Sequence, residues 1–290
     1  MKNRIYAALY FVLFFQQCLF STSDASNEDS LHKYSQNIYS QRGEDGILQE
    51  ILSRLNIENG FFVEFGAWDG MWLSNSRNLV EKGWSGVYIE ADKRGYEALI
   101  SNYRNENNVL CLNEFVAYEG QVQGKTIDAI ADEYFPHQEI DFMSIDIDGA
   151  DHLILECLKR KPKILCVEGG FSWNPNFTRR VPDAIAFQNL QQPLAVMIDI
   201  GKKQGYEPVC FTQNTFFIRS DLYEPFKEIK NDPLTLWQEG FKNLPAETRN
   251  WLINFRKNHS IIRSVEGKEY LNLPLASISK TWDEEKLQAR

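Results

Sequence analysis

From residue 61 onward the chain alternates short apolar runs with longer segments of helical period. The runs are FFVEF (61–65), GVYIE (86–90), NVLCL (108–112), IDFMSID (140–146) and KILCVE (163–168). Between and after them lie 74–82, 93–103, 126–134 and 150–159, whose apolar positions recur every three or four residues. Strict alternation of this kind predicts a parallel sheet with helices on both faces. Ahead of the first run, Ile47, Leu48, Ile51, Leu52 and Leu55 are spaced as one face of a helix, and Glu44 and Asp45 fall in its first turn, where the helix dipole favours acids. Downstream, 181–203 reads as a helical region despite Pro193, and GYEPVCF followed at once by NTFFIRSDL reads as a closing hairpin. Beyond Asp221 one helix is expected over 234–255, broken near Pro245, as part of a carboxyl-terminal extension.

The carboxyl ends of the five runs carry the polar residues: Glu64, Glu90, Asn113 with Glu114, Asp146 with Asp148, and Glu168. Open parallel sheets bind their ligands beyond that edge, so five strands deliver polar groups to one rim. After the first run the spacing is Glu64-x-Gly66-x-x-x-Gly70, a glycine turn that lets backbone approach a ligand. It differs from the G-x-G-x-x-G dinucleotide signature, and its leading acid repels a phosphate. An acid there suits a cationic ligand instead, such as the amino group and sulfonium of S-adenosylmethionine. Glu90 ends the next run, the place where a carboxylate takes the ribose hydroxyls of an adenosine cofactor.

Composition narrows the class. The 290 residues, 43% hydrophobic and 13% aromatic, suffice for a full core in one large domain or one domain with an appendage. The net charge of −9, without a Lys/Arg cluster, excludes the electrostatic footprint of a nucleic-acid binder. Lys2 and Arg4 precede an apolar run over 5–15, and Ser23 and Ala25 occupy small-residue cleavage positions, so 1–25 is expected to be a signal peptide that exports the chain to a secreted, periplasmic or lumenal destination. The competing expectation is an uncleaved anchor over 5–20, interrupted by Gln16 and Gln17; only then is a membrane a partner. Cys18 follows two glutamines and lacks a lipoprotein context. Cys111, Cys166 and Cys210 sit in apolar strand-like runs and Cys157 in a helical one, which favours buried free thiols over a disulfide framework and, with no C-x-x-C, argues against zinc.

Several of these stretches resemble one family. VEFGAWDG, YIEAD, DFMSIDIDGADHLILECL and KILCVEGG look like the successive motifs of FkbM-type, class I S-adenosylmethionine-dependent methyltransferases. YSQRGEDGILQEIL and NTFFIRSDL are similar to a subgroup with a Y-S-Q-x-G-E-D-G opening, and the resemblance spans about residues 34–223. It implies an α/β, Rossmann-like class I methyltransferase fold: a mostly parallel seven-stranded sheet with a closing antiparallel hairpin. The expected division is a signal segment at 1–25, a methyltransferase domain over 26–220 and a helical extension over 221–290. It implies S-adenosylmethionine as cofactor and a hydroxyl on a sugar or other small or glycan-like acceptor. Carried over by position, Glu64, Gly66, Ala67 and Gly70 line the methionine part, Glu90 binds the ribose, and Asn113 or Glu114 reaches the adenine edge. Asp146 faces the methyl group or the acceptor.

Two positions depart from the pattern. The family's common lysine before the fourth-strand aspartate is Ser144, and His152 stands where subgroup members carry an aromatic residue. His152, in the first turn of a helix, is either a general base or a surface histidine. Asp146, Asp148 and Glu168 could together hold magnesium and polarise a hydroxyl; the bland reading has Asp146 orient the cofactor and Asp148 cap the next helix. Arg42, Glu44 and Asp45 form either a lid over the site or only a helix start. Asn176-Phe-Thr178 is a glycosylation sequon if the export route is eukaryotic. Because S-adenosylmethionine is a cytosolic metabolite, an export signal keeps a second function class open: a non-catalytic binding module that retains the fold.

Overall fold

The structure is a computed structural model that describes residues 29–267; the expected signal segment, Cys18 and the end of the carboxyl-terminal extension lie outside the described residues. Seven strands, β1 (Phe61–Phe65), β2 (Ser85–Ile89), β3 (Val109–Leu112), β4 (Phe142–Ile145), β5 (Ile164–Glu168), β6 (Tyr206–Phe211) and β7 (Asn214–Arg219), form one sheet in the order β3-β2-β1-β4-β5-β7-β6. β1 to β5 are mutually parallel, and β7 runs antiparallel to both β5 and β6. The order reverses between β1 and β4, which opens a crevice at their carboxyl ends.

The inner strands bury both faces, as their unbroken apolar runs require, while the edge strand β3 leaves Leu110 exposed. On β1, Val63 and Phe65 face a core shared with Ile130, Leu155, Met197 and Trp237, while Phe62 faces another with Ile51, Leu79, Leu99 and Phe216. The helices follow the predicted segments: α1 (Glu44–Arg54), α2 (Arg77–Glu81), α3 (Lys93–Tyr103), α4 (Ile127–Tyr134) and α5 (Asp151–Cys157). Asp92 caps α3 by accepting from Arg94 N and Gly95 N at 2.9 and 3.0 Å, and Thr126 caps α4 through Ala129 N at 3.2 Å; caps of this kind contribute about 1 kcal/mol each.

The single helical region expected over 181–203 is instead a short turn and a π-helical stretch, Ala186–Leu190, then a break at Pro193 and α6 (Leu194–Lys203). The proline supplies no amide hydrogen and so ends one element and begins another. After β7, α7 (Pro233–Asn243), α8 (Ala246–Asn258) and α9 (Ser260–Glu266) follow, with the break where Pro245 was expected to put it. These helices pack into the body of the protein: Trp237 and Phe241 belong to the main core, and Ile262 joins Trp173, Phe177 and Leu190 in a smaller one. Arg256 and Glu266 pair within it, both buried, and Glu266 Oε1 accepts from Asn174 N at 2.7 Å. Cys111, Cys157, Cys166 and Cys210 are free thiols. Among the described residues no helix is long and apolar enough to cross a membrane.

Candidate functional site

At the carboxyl edge of β1, β2 and β4 lies a cavity of about 550 Å³, within the 300 to 1,000 Å³ or so of small-molecule and cofactor sites. Of the residues singled out in the sequence, Glu64, Gly66, Ala67, Glu90, Glu114, Asp146, Asp148 and Glu168 all line it. Gly66, at φ +74°, permits the closest approach in the site, because a Cβ there would collide with the carbonyl oxygen of Asp146. The loop after β1 therefore lies directly against the loop after β4.

The β1 and β2 side of the cavity is built on two well-partnered carboxylates. Glu64 accepts from Ser74 Oγ at 3.0 Å, Ser76 N at 2.9 Å, Asn75 N at 3.3 Å and Ser76 Oγ. Burial pushes its carboxyl up, and those donors pull it back. Ser144 belongs to the same zipper, taking a hydrogen bond from Asn75 Nδ2 at 3.0 Å, and is a buried link between β4 and the β1 loop. Glu90 accepts from Trp68 N at 2.6 Å on one oxygen and from Asp92 N at 2.7 Å on the other. One lone pair per oxygen is left for a ligand. Glu114 faces the cavity beside Phe115 and Val116, and its carboxylate is held by Lys125 Nζ at 2.8 Å and Tyr134 Oη at 3.1 Å.

The β4 and β5 side is different. Asp146, Asp148 and Glu168 bring one carboxylate oxygen each within 4.8 Å of one another. Asp146 accepts no hydrogen bond from any described residue, and burial together with the charges of Glu168, Asp151, Asp148 and Glu64 pushes its carboxyl well above the usual range. Glu168 accepts from Gln213 Nε2 at 2.7 Å on one oxygen and from Gln191 Nε2 on the other. Burial and the charges of Asp151 and Asp148 push it up to about 7, against the pull of the two amides. Gln213 is itself held by the Arg42 guanidinium through its amide oxygen. Each Glu168 oxygen thus meets one N–H donor and keeps its other lone pair toward the cavity.

Backbone strain gathers here. Among the described non-glycine residues with positive φ, all but Asn56 and the two glutamines line the cavity, namely Trp68 (φ 49°), Leu73 (58°) and Asp148 (57°), while Gln191 (54°) and Gln213 (137°) hold Glu168. Such conformations cost on the order of 1–3 kcal/mol each and cluster at functional sites.

Three expected site residues are elsewhere. Gly70 packs on Leu99 and Tyr103, and its carbonyl accepts from Tyr103 Oη at 2.6 Å, so it shapes the turn without reaching the cavity. Asn113 donates its amide to the carbonyls of Glu90 at 2.7 Å and Ala91 at 3.2 Å, clamping the neighbouring strand end. His152 is fully buried, neither at the cavity nor on the surface: its Nε2 lies 3.1 Å from Asp183 Oδ1 and 3.3 Å from Gln192 Nε2. Asp148 caps no helix. The loop is closed instead by Asp151, which accepts from Ile147 N and Gly149 N, both at 2.9 Å.

The opening segment is part of the wall. Gln41 lines the cavity. Asp45 is buried and gathers Ile38 N, Tyr39 N and Ser40 N at 2.8 Å each on one oxygen; Glu44, also buried, accepts from Thr212 Oγ1 at 2.7 Å and Asn214 Nδ2 at 3.4 Å. Glu44 thus locks the opening motif to the β6–β7 turn and Asp45 folds the motif on itself, roles that neither expectation for them included. The sequence reading also missed Trp68, Trp72, Leu73 and Phe115, all exposed large apolar side chains at the cavity. Their signal was present, as aromatic residues in the turns that follow strand ends.

No protein-family model matches the chain, and no curated protein matches it. Several solved structures are similar to it. A caffeoyl-CoA O-methyltransferase candidate from Staphylococcus aureus is 13% identical over 73% of this chain and 99% of its own, with a TM-score of 0.42. A SAM-dependent methyltransferase from Aquifex aeolicus is 15% identical over 59% and 86%, at 0.35. Aeropyrum pernix fibrillarin, solved with natively bound S-adenosyl-L-methionine, is 9% identical over 58% and 74%, at 0.35. The chain has the Rossmann-like methyltransferase fold, a seven-stranded, mostly parallel sheet with a closing antiparallel hairpin, and the strand order given above carries that assignment.

Proposed function

We propose that the chain is an S-adenosylmethionine-dependent methyltransferase of FkbM type, exported by its amino-terminal segment, that methylates a hydroxyl of a small or glycan-like acceptor. The observation that carries the cofactor is the pairing of Glu90 with the Gly66 turn on one cavity wall. Glu90 keeps a free lone pair on each oxygen for two ribose hydroxyls, and the missing Cβ at Gly66 lets the loop after β1 close against the Asp146 carbonyl, so one continuous wall runs from β2 to β4. Ile89, Ala91, Phe115 and Val116 offer an apolar slot for an adenine ring, and Glu114 lies at its edge.

The cofactor, when bound, supplies an electrophilic methyl group on a sulfonium. The chain's part is alignment and charge. Asp146, unpartnered and at the junction of the β1 and β4 loops, places a carboxylate where positive charge and acceptor meet. Positioning of this kind accounts for a large share of the rate in a direct displacement.

Calorimetry of the full chain with S-adenosylmethionine tests the reading. Binding heat that is lost in Glu90→Ala supports it; no heat from a chain that circular dichroism shows to be folded rejects it. Methyl transfer measured with and without a chelator tests whether Asp146, Asp148 and Glu168 act through a metal ion.

A further inference from the structure

Glu168 is unlike the other acids of the rim. It ends β5 and is buried, yet it lines the cavity within 4.8 Å of Asp146 and Asp148. Its carboxylate is gripped by two side-chain amides, from Gln191 and Gln213, and both sit in left-handed backbone conformations that a glutamine rarely adopts. Gln213 is fixed in turn by Arg42, so a relay runs from the opening segment through the β6–β7 turn to Glu168. A carboxylate that served only to hold loops together would be turned toward backbone amides, as Glu64 and Asp151 are. Glu168 is held rigidly at its outer lone pairs and open on the cavity side.

We infer that Glu168 is the general base of the reaction, taking the proton from the acceptor hydroxyl, with Gln191, Gln213 and Arg42 as positioning residues. The inference rests on the methyltransferase reading above and deepens it. Glu168 takes the O–H proton as the acceptor oxygen forms its bond to the methyl carbon; the electron pair of the broken C–S bond stays on sulfur. Charge balances: a cationic sulfonium and a carboxylate become a neutral thioether and a carboxylic acid. The acceptor must therefore be a neutral alcohol or phenol that has a proton to lose, and not a carboxylate.

The electrostatic setting agrees. Glu168 faces Asp146 and Asp148 from the loop after β4, Asp151 from α5, and Arg42 from the opening segment. Three acids against one guanidinium, in a buried place, lift the carboxyl to about 7, the range in which a base exchanges its proton near neutral pH.

The test needs no acceptor. The full chain is titrated calorimetrically with S-adenosylmethionine at pH 7 in two buffers of different ionisation enthalpy, which counts protons released on binding. A sulfonium set beside Glu168 ionises it, so the wild type is expected to release about half a proton more than Glu168→Gln and, by the same linkage, to bind the cofactor several-fold more tightly. Gln213→Ala keeps the carboxylate but removes a donor that holds it down, and is expected to release more than the wild type; this second variant decides the matter if the first does not fold. Equal proton counts in all three chains overturn the assignment of Glu168 and leave the methyltransferase reading standing. No binding heat in any folded chain overturns the methyltransferase reading, and the inference with it.

Discussion

The two sides of the cavity use the same side chains for opposite ends. Around β1 and β2, Glu64 and Glu90 are met by hydroxyl and backbone donors, four on Glu64 and two on Glu90. Around β4 and β5, Asp146 has no donor from any described residue, Asp148 is exposed, and Glu168 has only two side-chain amides. A carboxylate with its lone pairs filled, as on Glu64, is scaffolding that shapes loops, and one fixed by backbone amides with a lone pair to spare on each oxygen, as on Glu90, is a rigid acceptor for a ligand. One left short of donors in a buried place is held ready to change its charge.

The largest expected effect breaks that contrast on the β5 side. Glu168→Gln should lower kcat by about 10²- to 10⁴-fold, the usual worth of a general base, with a loss of S-adenosylmethionine affinity of only several-fold; rate assays at saturating cofactor beside calorimetry separate the two. The wild-type kcat/KM for S-adenosylmethionine, which reports the free enzyme, is expected to rise with pH up to about 7, the value to which Glu168 is pushed.

Next in size is a cost in stability. The Glu168 carboxyl rises from 4.5 in the unfolded chain to about 7 in the folded one. Below 4.5 both states hold the proton; between 4.5 and 7 the unfolded chain loses it first, so stability falls as pH rises through that window, by on the order of 3 kcal/mol. His32, lowered by burial from 6.5 to about 4, works the other way, losing stability as pH falls through its own window. Comparing wild type with Glu168→Gln by denaturant unfolding at pH 5 and pH 8 isolates the first effect. The variant should gain on the wild type at pH 8 and not at pH 5.

On the β2 side, Glu90→Ala should weaken S-adenosylmethionine by about 100-fold, the loss of two hydrogen bonds to a charged group, with unchanged cofactor affinity counting against the ribose assignment. Glu64→Ala should instead cost the fold about 2 kcal/mol by orphaning the buried donors of Ser74, Asn75 and Ser76, read as a lower unfolding midpoint. Smallest is Trp72→Ala: at 71% exposure the ring supports nothing inside, and stability should hold within about 0.5 kcal/mol.

The sheet was legible in the sequence because a parallel strand buried on both faces has to be an unbroken apolar run, and each such run became a strand within two residues of its expected ends. The rim was legible for a related reason, since acids at strand ends stand out against those runs. His152 misled because position along the chain tells which turn of a helix a residue occupies, not which side of that turn is covered; the segment over 183–192 buries it. Gln191 and Gln213 carried no signal at all. Their importance comes from a fold that brings residues 42, 168, 191 and 213 together, and from left-handed backbone that glutamine does not advertise.

The lock between the opening motif and the β6–β7 turn bears on when the site comes into being. Glu44 needs Thr212 and Asn214, and Arg42 needs Gln213, so one wall of the cavity is assembled from chain synthesised first and chain synthesised some 170 residues later. A nascent or translocating polypeptide lacks that wall until the last hairpin has emerged. If the amino-terminal segment threads the chain unfolded across a membrane, no cofactor can travel with it from the cytosol. In that case any methyl donor would have to be waiting at the destination.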